Sequence, residues 1–156
     1  MGSPGQGEVR LATLSDAEAI GRLLFDFNNE FDEPTPEPAV LADRLRRLLG
    51  SGDTAVLLGG VGPDGLAVLR FRSAIWSPGL ESYLAELYVV PARRGQGLGR
   101  ALMLRSIEEA LVRGSDSMSI EVDEPDVAAR ALYESLGSTN RAGGGGPLMF
   151  VYEKEL

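Results

Sequence analysis

The chain has no cysteine and no histidine. Without cysteine there is no disulfide framework, no thiolate nucleophile and no thiolate metal site. Without histidine there is no imidazole base and no Ser-His-Asp triad, and the usual ligand sets of zinc hydrolases are excluded, so no metal site is expected. Any catalysis falls to Asp, Glu, Tyr, Lys, Arg, Ser, Thr or backbone groups. Long apolar runs are missing too: no stretch approaches the roughly 18 residues of a membrane span. The opening MGSPGQGEVR carries no apolar leader, so neither membrane insertion nor export is expected and a cytoplasmic location is. Positive charge is scarce. Against 23 Asp and Glu stand 15 Lys and Arg, a net charge of -8, which argues against nucleic acid as the main partner because a phosphate backbone needs a basic face. A small anion pocket remains compatible with it.

At 156 residues the chain suits one domain large enough to bury a core. We expect that domain over residues 8–156, after a disordered lead at 1–7. VRLAT (Val9 to Thr13) alternates like a short strand, and Ser15 with Asp16 and Glu18 starts a helix to about Asn29 that buries Ile20, Leu23, Leu24 and Phe27. Three prolines keep Phe31 to Pro38 extended before Pro38 opens a second helix, which Gly50 to Gly52 end. Thr54 to Gly59 and Leu66 to Trp76 flank a VGPDG turn as a hairpin, and Leu80 to Val90 is the next strand. A helix-like run (Leu102 to Arg113), a strand (Ser117 to Val122), a helix with Gly137 as its cap, a short strand near Ser138 to Arg141 and a final strand (Leu148 to Leu156) complete the order. An antiparallel meander joined to a parallel β-α-β crossover makes an α/β fold with a mixed, mostly antiparallel central sheet and flanking helices.

Between the strand ending at Val90 and the helix run lies RRGQGLGR, Arg93 to Arg100. Gly95, Gly97 and Gly99 let the chain turn sharply and bring successive N–H groups together. The helix that follows adds its unpaired first-turn amides and the positive end of its dipole. Arg93, Arg94 and Arg100 supply formal charge, so the loop reads as a phosphate or pyrophosphate cradle. The glycine spacing fits neither the dinucleotide fingerprint nor the P-loop. A plain glycine-rich turn capping a helix is the alternative for the loop taken alone.

R-x-x-G-x-G (Arg94 to Gly99) after V-x-P (Val89 to Pro91) resembles the acetyl-CoA motif of the GNAT superfamily of N-acetyltransferases, and PDVAARALYESLG, with Ala129, Tyr133 and Gly137, is similar to that family's fourth-helix segment. Asp126 stands where Asn is common and Ser138 where the family has an apolar residue. The resemblance covers the element order from about residue 8 to 155, with its specific motifs between Leu84 and Gly137. It implies the acyl-CoA N-acyltransferase fold and acetyl-CoA as co-substrate. It implies that the backbone of Leu87, Tyr88 and Val89 pairs with the pantetheine arm, and that the pyrophosphate lies on the amides of Gly95, Gln96, Gly97, Leu98, Gly99 and Arg100 with Arg94 beside it. Asp126 joins the cofactor side, and the Val89 N–H becomes the oxyanion donor.

Acyl transfer to an amine needs a neutral amine, oxyanion stabilisation and a proton for the departing thiolate. Glu86, the only charged residue in the apolar run Tyr83 to Val90, is the candidate base, since burial would raise its pKa. A carboxylate at a sheet surface or in a salt bridge is the other reading. Tyr133 is the candidate acid by its match to the family tyrosine, whereas by pattern alone a tyrosine on the apolar face of ALYESL reads more often as core packing. With no cysteine nucleophile, direct attack in a ternary complex and sequential kinetics are expected.

The family lines its acceptor pocket with the first two helices, the loop between them and the last hairpin. Here that loop and its approach carry Asp26, Glu30, Asp32, Glu33 and Glu37 and no basic residue. They would attract a small cationic molecule or a peptide lysine, or they form a solvated acidic loop. Phe25, Phe27 and Phe31 fit either pocket or core, and Gly143 to Gly146 a flexible hairpin tip. Homodimers are common in the resembling family, and the resemblance is the sole sign of one here. Two other classes stay open: a non-catalytic acyl-CoA binding or sensing module, and a nucleotide-binding module that ATP or NAD would stabilise more than CoA.

Overall fold

The computed structural model describes residues 8–156, so the expected lead at 1–7 lies outside the described residues. The chain divides into two compact units, one ending at Ile120 and the other spanning Glu121–Leu156.

The first unit is built on a five-stranded sheet in the order β1-β2-β3-β4-β5. Strands β1 (Val9–Leu11), β2 (Thr54–Gly59), β3 (Gly65–Ser73) and β4 (Leu80–Val89) form an antiparallel meander, and β5 (Ser115–Ile120) joins β4 in parallel. Helices α1 (Ala17–Glu30) and α2 (Pro38–Gly50) intervene between β1 and β2, and α3 (Leu98–Val112) makes the crossover from β4 to β5. This is the mixed, mostly antiparallel α/β sheet expected from the sequence.

TAVLLG and GLAVL are buried at every position because both faces of β2 and β3 are covered. On one face Val56, Leu58, Leu66, Val68 and Tyr88 pack with Ile20 and Leu23 of α1 and Leu45 of α2. On the other, Leu98 and Leu102 of α3 lie over Gly59 and Gly65, which face each other across the β2–β3 ladder. A Cβ on Gly65 would come within 2.9 Å of the Tyr88 carbonyl and 3.1 Å of Leu102 Cδ1. This glycine is what lets the start of α3 sit so close to the sheet.

α3 begins four residues earlier than the apolar periodicity indicates, at Leu98 rather than Leu102. Gly97 is its N-cap and Gly99 lies in its first turn, so two poor helix formers conceal a turn that Leu98, 1% exposed, fastens to the core.

In the second unit, α4 (Val127–Ser135) starts on Asp126, whose Oδ1 accepts the Ala129 N–H at 3.1 Å. It ends in a Schellman motif: Gly137 at φ 94° donates to the Glu134 carbonyl, and Ser138 donates to the Tyr133 carbonyl. The two last strands expected from composition do not form. Arg141 and Leu148 make one isolated bridge, Met149 N–H donates to the Asn140 carbonyl at 2.8 Å, and residues beyond Met149 join no ladder among the described residues. Gly143 and Gly144, at φ 64° and 84°, curl the chain into a tight turn, and Pro147 brings no N–H to lengthen the pairing. Strand propensity in LMFVYEKEL supplies no neighbour to bond with.

Replacing Gly65 by Ala is expected to destabilise the protein by about 1–3 kcal/mol, the range of an overpacked core site. Urea unfolding checks it, and an unchanged midpoint would mean that α3 shifts without cost.

Candidate functional site

β4 is bonded on both sides at its start and on one side at its end. Its parallel ladder with β5 runs from Leu80 to Leu84, opposite Ile120, and stops. On the other side, the register with β3 slips: Leu84 faces Leu69, Glu86 faces Val68, and Ala85 is left over as a bulge. Pairing with β3 then continues to Val89.

The Val90 N–H donates to the Asp64 carbonyl at 2.8 Å, toward the β2–β3 turn. Successive residues of a strand direct their backbone groups to opposite sides, so Tyr88 and Glu86 also face β3, while Leu87 and Val89 turn theirs to the side where the ladder with β5 has ended. The Val89 carbonyl accepts Arg94 Nε at 3.0 Å. At Leu87 and Val89, β4 thus ends in an edge that joins no second ladder among the described residues, with the Val89 carbonyl taken by Arg94.

That edge leads directly into the glycine loop. Gly95 and Gly97 stand at φ 73° and 87°, a region L side chains rarely adopt, with nothing within 4 Å of where a Cβ would be. The first α3 bond runs from Ala101 N–H to the Gly97 carbonyl at 3.0 Å. The amides of Leu98 and Gly99, in the first turn, precede the first α-helical carbonyl acceptor and point out of the helix start, where the dipole is positive. Open space at the turn, outward amides and an unladdered strand edge suit an extended ligand that ends in a phosphate.

Arg93 and Arg94 are held by carboxylates. Arg93 bonds Asp64 at 2.7 Å and Glu8 at 2.9 Å, and its Nε reaches Gln96 Oε1 at 3.2 Å, while Gln96 Nε2 donates to the Ala92 carbonyl. Arg94 Nη2 bonds both oxygens of Glu30, at 2.8 and 2.6 Å, and the guanidinium carbon lies 5.7 Å from the centre of the Tyr88 ring. The Tyr88 hydroxyl donates to Glu30 Oε1 at 3.2 Å, and its ring stacks on Phe27 at 4.8 Å. Burial, with the Glu30 charge next, pushes the Tyr88 phenol up. Sequence reading reached the Tyr88 backbone but missed this side-chain cluster, because Glu30 and Arg94 are 64 residues apart and leave no periodic signal.

Glu86 lies opposite Val68, so its side chain stands on the sheet face covered by α1 and α2. Water reaches it, yet it is crowded enough by protein that desolvation pushes its carboxyl up from the ordinary value. A cleft of about 690 Å³ runs between α1 and α2 past Glu18, Arg22, Asp26, Asp43 and Arg46 to Val90. Arg46 is paired there with Glu18 and Asp43.

Glu86, Leu87 to Val89 and the stretch from Arg94 to Arg100 all belong to the first unit. Tyr133 and Asp126 belong to the second. Tyr133 is the buried residue of α4, and burial first, then the Asp126 charge, pushes its phenol up. Asp126 is occupied as the cap of α4.

Comparison with known proteins places the chain in a family. The model of the acetyltransferase (GNAT) family matches residues 18–137. A mycothiol acetyltransferase from Thermobispora bispora is 37% identical over 121 residues, 74% of this chain and 35% of the relative. A thialysine N-epsilon-acetyltransferase from Mus musculus is 32% identical over 91 residues, 58% of this chain and 53% of the relative. The chain thus spans between about a third and about half the length of these curated relatives. A crystal structure from Arthrobacter sp. FB24, provisionally assigned as an acetyltransferase, superposes with a TM-score of 0.88 at 46% identity, covering 95% of each chain.

Proposed function

The chain belongs to the acetyltransferase (GNAT) family, and from that premise we propose that it moves an acetyl group from acetyl-CoA to the primary amine of a small cationic molecule, by direct attack in a ternary complex. The observation that carries the reading is the open edge of β4 at Leu87 and Val89 running into the outward amides of the glycine loop and α3. Such an edge suits the amide-bearing pantetheine arm, as an unpaired strand suits an added one. The amides from Gly95 to Arg100 suit the pyrophosphate, with Arg94 beside it.

When bound, acetyl-CoA supplies the thioester. The chain's own groups then have three tasks. Glu86 takes a proton from the acceptor ammonium, directly or through water, and its raised pKa brings it closer to the working pH than an ordinary carboxylate. The Val89 N–H, which faces the open edge, donates to the carbonyl oxygen as charge gathers there. Tyr133 gives its proton to the sulfur, the role that the resemblance assigns it. A phenol is protonated at neutral pH and burial raises its pKa further, so it is available there as a donor.

A cationic acceptor is supported by charge. Asp26 of α1 lines the cleft between α1 and α2, whereas the Glu30 carboxylate is already taken up by Arg94. The mouse relative is named for an ε-nitrogen acceptor, which supports a primary amine on a small molecule. A cytoplasmic location and a homodimer belong to the same reading and rest on the sequence and the resemblance.

The deciding experiment is a free-thiol assay for CoA release with polyamines, aminoglycosides, amino acids and a lysine peptide. Release with one class supports the reading and names the acceptor; binding of acetyl-CoA without release to any amine would turn it into a binding module. Glu86→Gln is expected to lower kcat about a hundredfold or more and to abolish the loss of kcat/KM as pH falls through the Glu86 pKa. Unchanged kcat at every pH would remove the base. Tyr133→Phe is expected to lower kcat about ten- to a thousandfold with little change in acetyl-CoA KM, and a large KM change at normal kcat would sink its role as acid.

A further inference from the structure

Arg94 has five N–H donors arranged as a planar fork. Its Nε meets the Val89 carbonyl at 3.0 Å and its Nη2 meets both Glu30 oxygens, so one edge of the guanidinium is filled by the chain itself. The Tyr88 ring underlies it at 5.7 Å, and the Tyr88 hydroxyl takes Glu30 Oε1 at 3.2 Å. Glu30 is thus gripped from two directions, and Arg94 is fixed by three neighbours. The Nη1 group, for which these contacts provide no acceptor, is the part of the fork left for a ligand.

Glu30 is also the last residue of α1. Phe31 follows as its cap and stacks edge-on against Phe27 at 5.5 Å, and Asp32 holds φ 55°, in the left-handed region. The carboxylate that holds Arg94 therefore sits where the helix gives way to the proline-rich segment toward α2. An acid placed beside an anion site would by charge alone weaken anion binding. Its contacts here indicate a different task, that of fixing the cation.

We propose that Glu30 is a positioning residue for the cofactor: it holds the Arg94 guanidinium with Nη1 directed to the diphosphate of acetyl-CoA. The inference rests on the acetyl-CoA reading above. It separates two effects of one carboxylate. Loss of anchoring frees a flexible cation and weakens capture of the diphosphate, whereas loss of negative charge strengthens it. The anchoring effect requires Arg94; the charge effect does not.

Calorimetric titration of acetyl-CoA into the wild type, Glu30→Gln, Arg94→Met and the double variant tests this, together with kcat/KM for S-acetylpantetheine, which lacks the diphosphate. Glu30→Gln is expected to weaken acetyl-CoA binding about three- to tenfold, as loss of a charge-assisted contact does. It should leave kcat/KM for S-acetylpantetheine within about twofold, and should not weaken acetyl-CoA binding further once Arg94 is Met, where only the charge effect remains and binding is unchanged or tighter. Unchanged or tighter binding by Glu30→Gln, an equal loss in the Arg94→Met background, or an equal loss with S-acetylpantetheine would each overturn the proposal. Absence of acetyl-CoA binding by the wild type would overturn the parent reading and this inference with it.

Discussion

β4 loses its second neighbour after Leu84, and the groups assigned to chemistry in the first unit depend on that loss. An unpaired strand edge is ordinarily a liability, because its amides accept whatever extended chain arrives. Here the liability is confined to a few residues, and the backbone that carries it is bonded along its other side to β3, which is buried on both faces. Rigidity and openness coexist because the same strand is anchored by one ladder and released from the other. The glycine loop inherits this placement. α3 starts over Gly59 and Gly65, so the amides at its N-terminus are fixed to the sheet that supports the open edge.

An acidic chain that collects arginines at a single turn has to control them. Arg93 is tied to Glu8 before β1 and to Asp64 after β2, and Asp64 also accepts the Val90 N–H, so the entry to the loop is pinned to two other parts of the first unit. Arg94 is tied to the end of α1. The Arg94 pair is partly solvent-accessible and by itself would contribute little to stability. These contacts matter more for direction. They choose where the guanidinium groups point, and the main-chain amides then act beside oriented charge.

Much of this was legible in the sequence because the signals are local. Pro38 at the first turn of α2, the continuous apolar run of β2 and the glycines at φ 73° and 87° each depend on near neighbours. The face on which Glu86 stands was not legible, since Ala85 interrupts the alternation that would have located it. Neither was the start of α3, where Gly97 and Gly99 hide a helical turn held by the burial of Leu98. The terminal strands failed for the opposite reason: LMFVYEKEL has strand composition, but a strand exists only with a partner, and composition names none. The pairing of Glu30 with Arg94 needed the fold itself.

The bulge at Ala85 has one more consequence. Leu84 shares a face with Leu69, on the α3 side, whereas Glu86 shares a face with Val68, on the side of α1 and α2. In a regular ladder continued from Leu84, Glu86 would fall opposite Ala67 and be buried beneath α3, and Leu87 rather than Tyr88 would pair with Leu66 on the face covered by α1 and α2. The extra residue acts as a half-period phase shift written into one strand: its first half is read in phase with one helical layer and its second half in phase with the other. A carboxylate and a hydrophobic plug can therefore be encoded two positions apart and still serve opposite sides of the sheet.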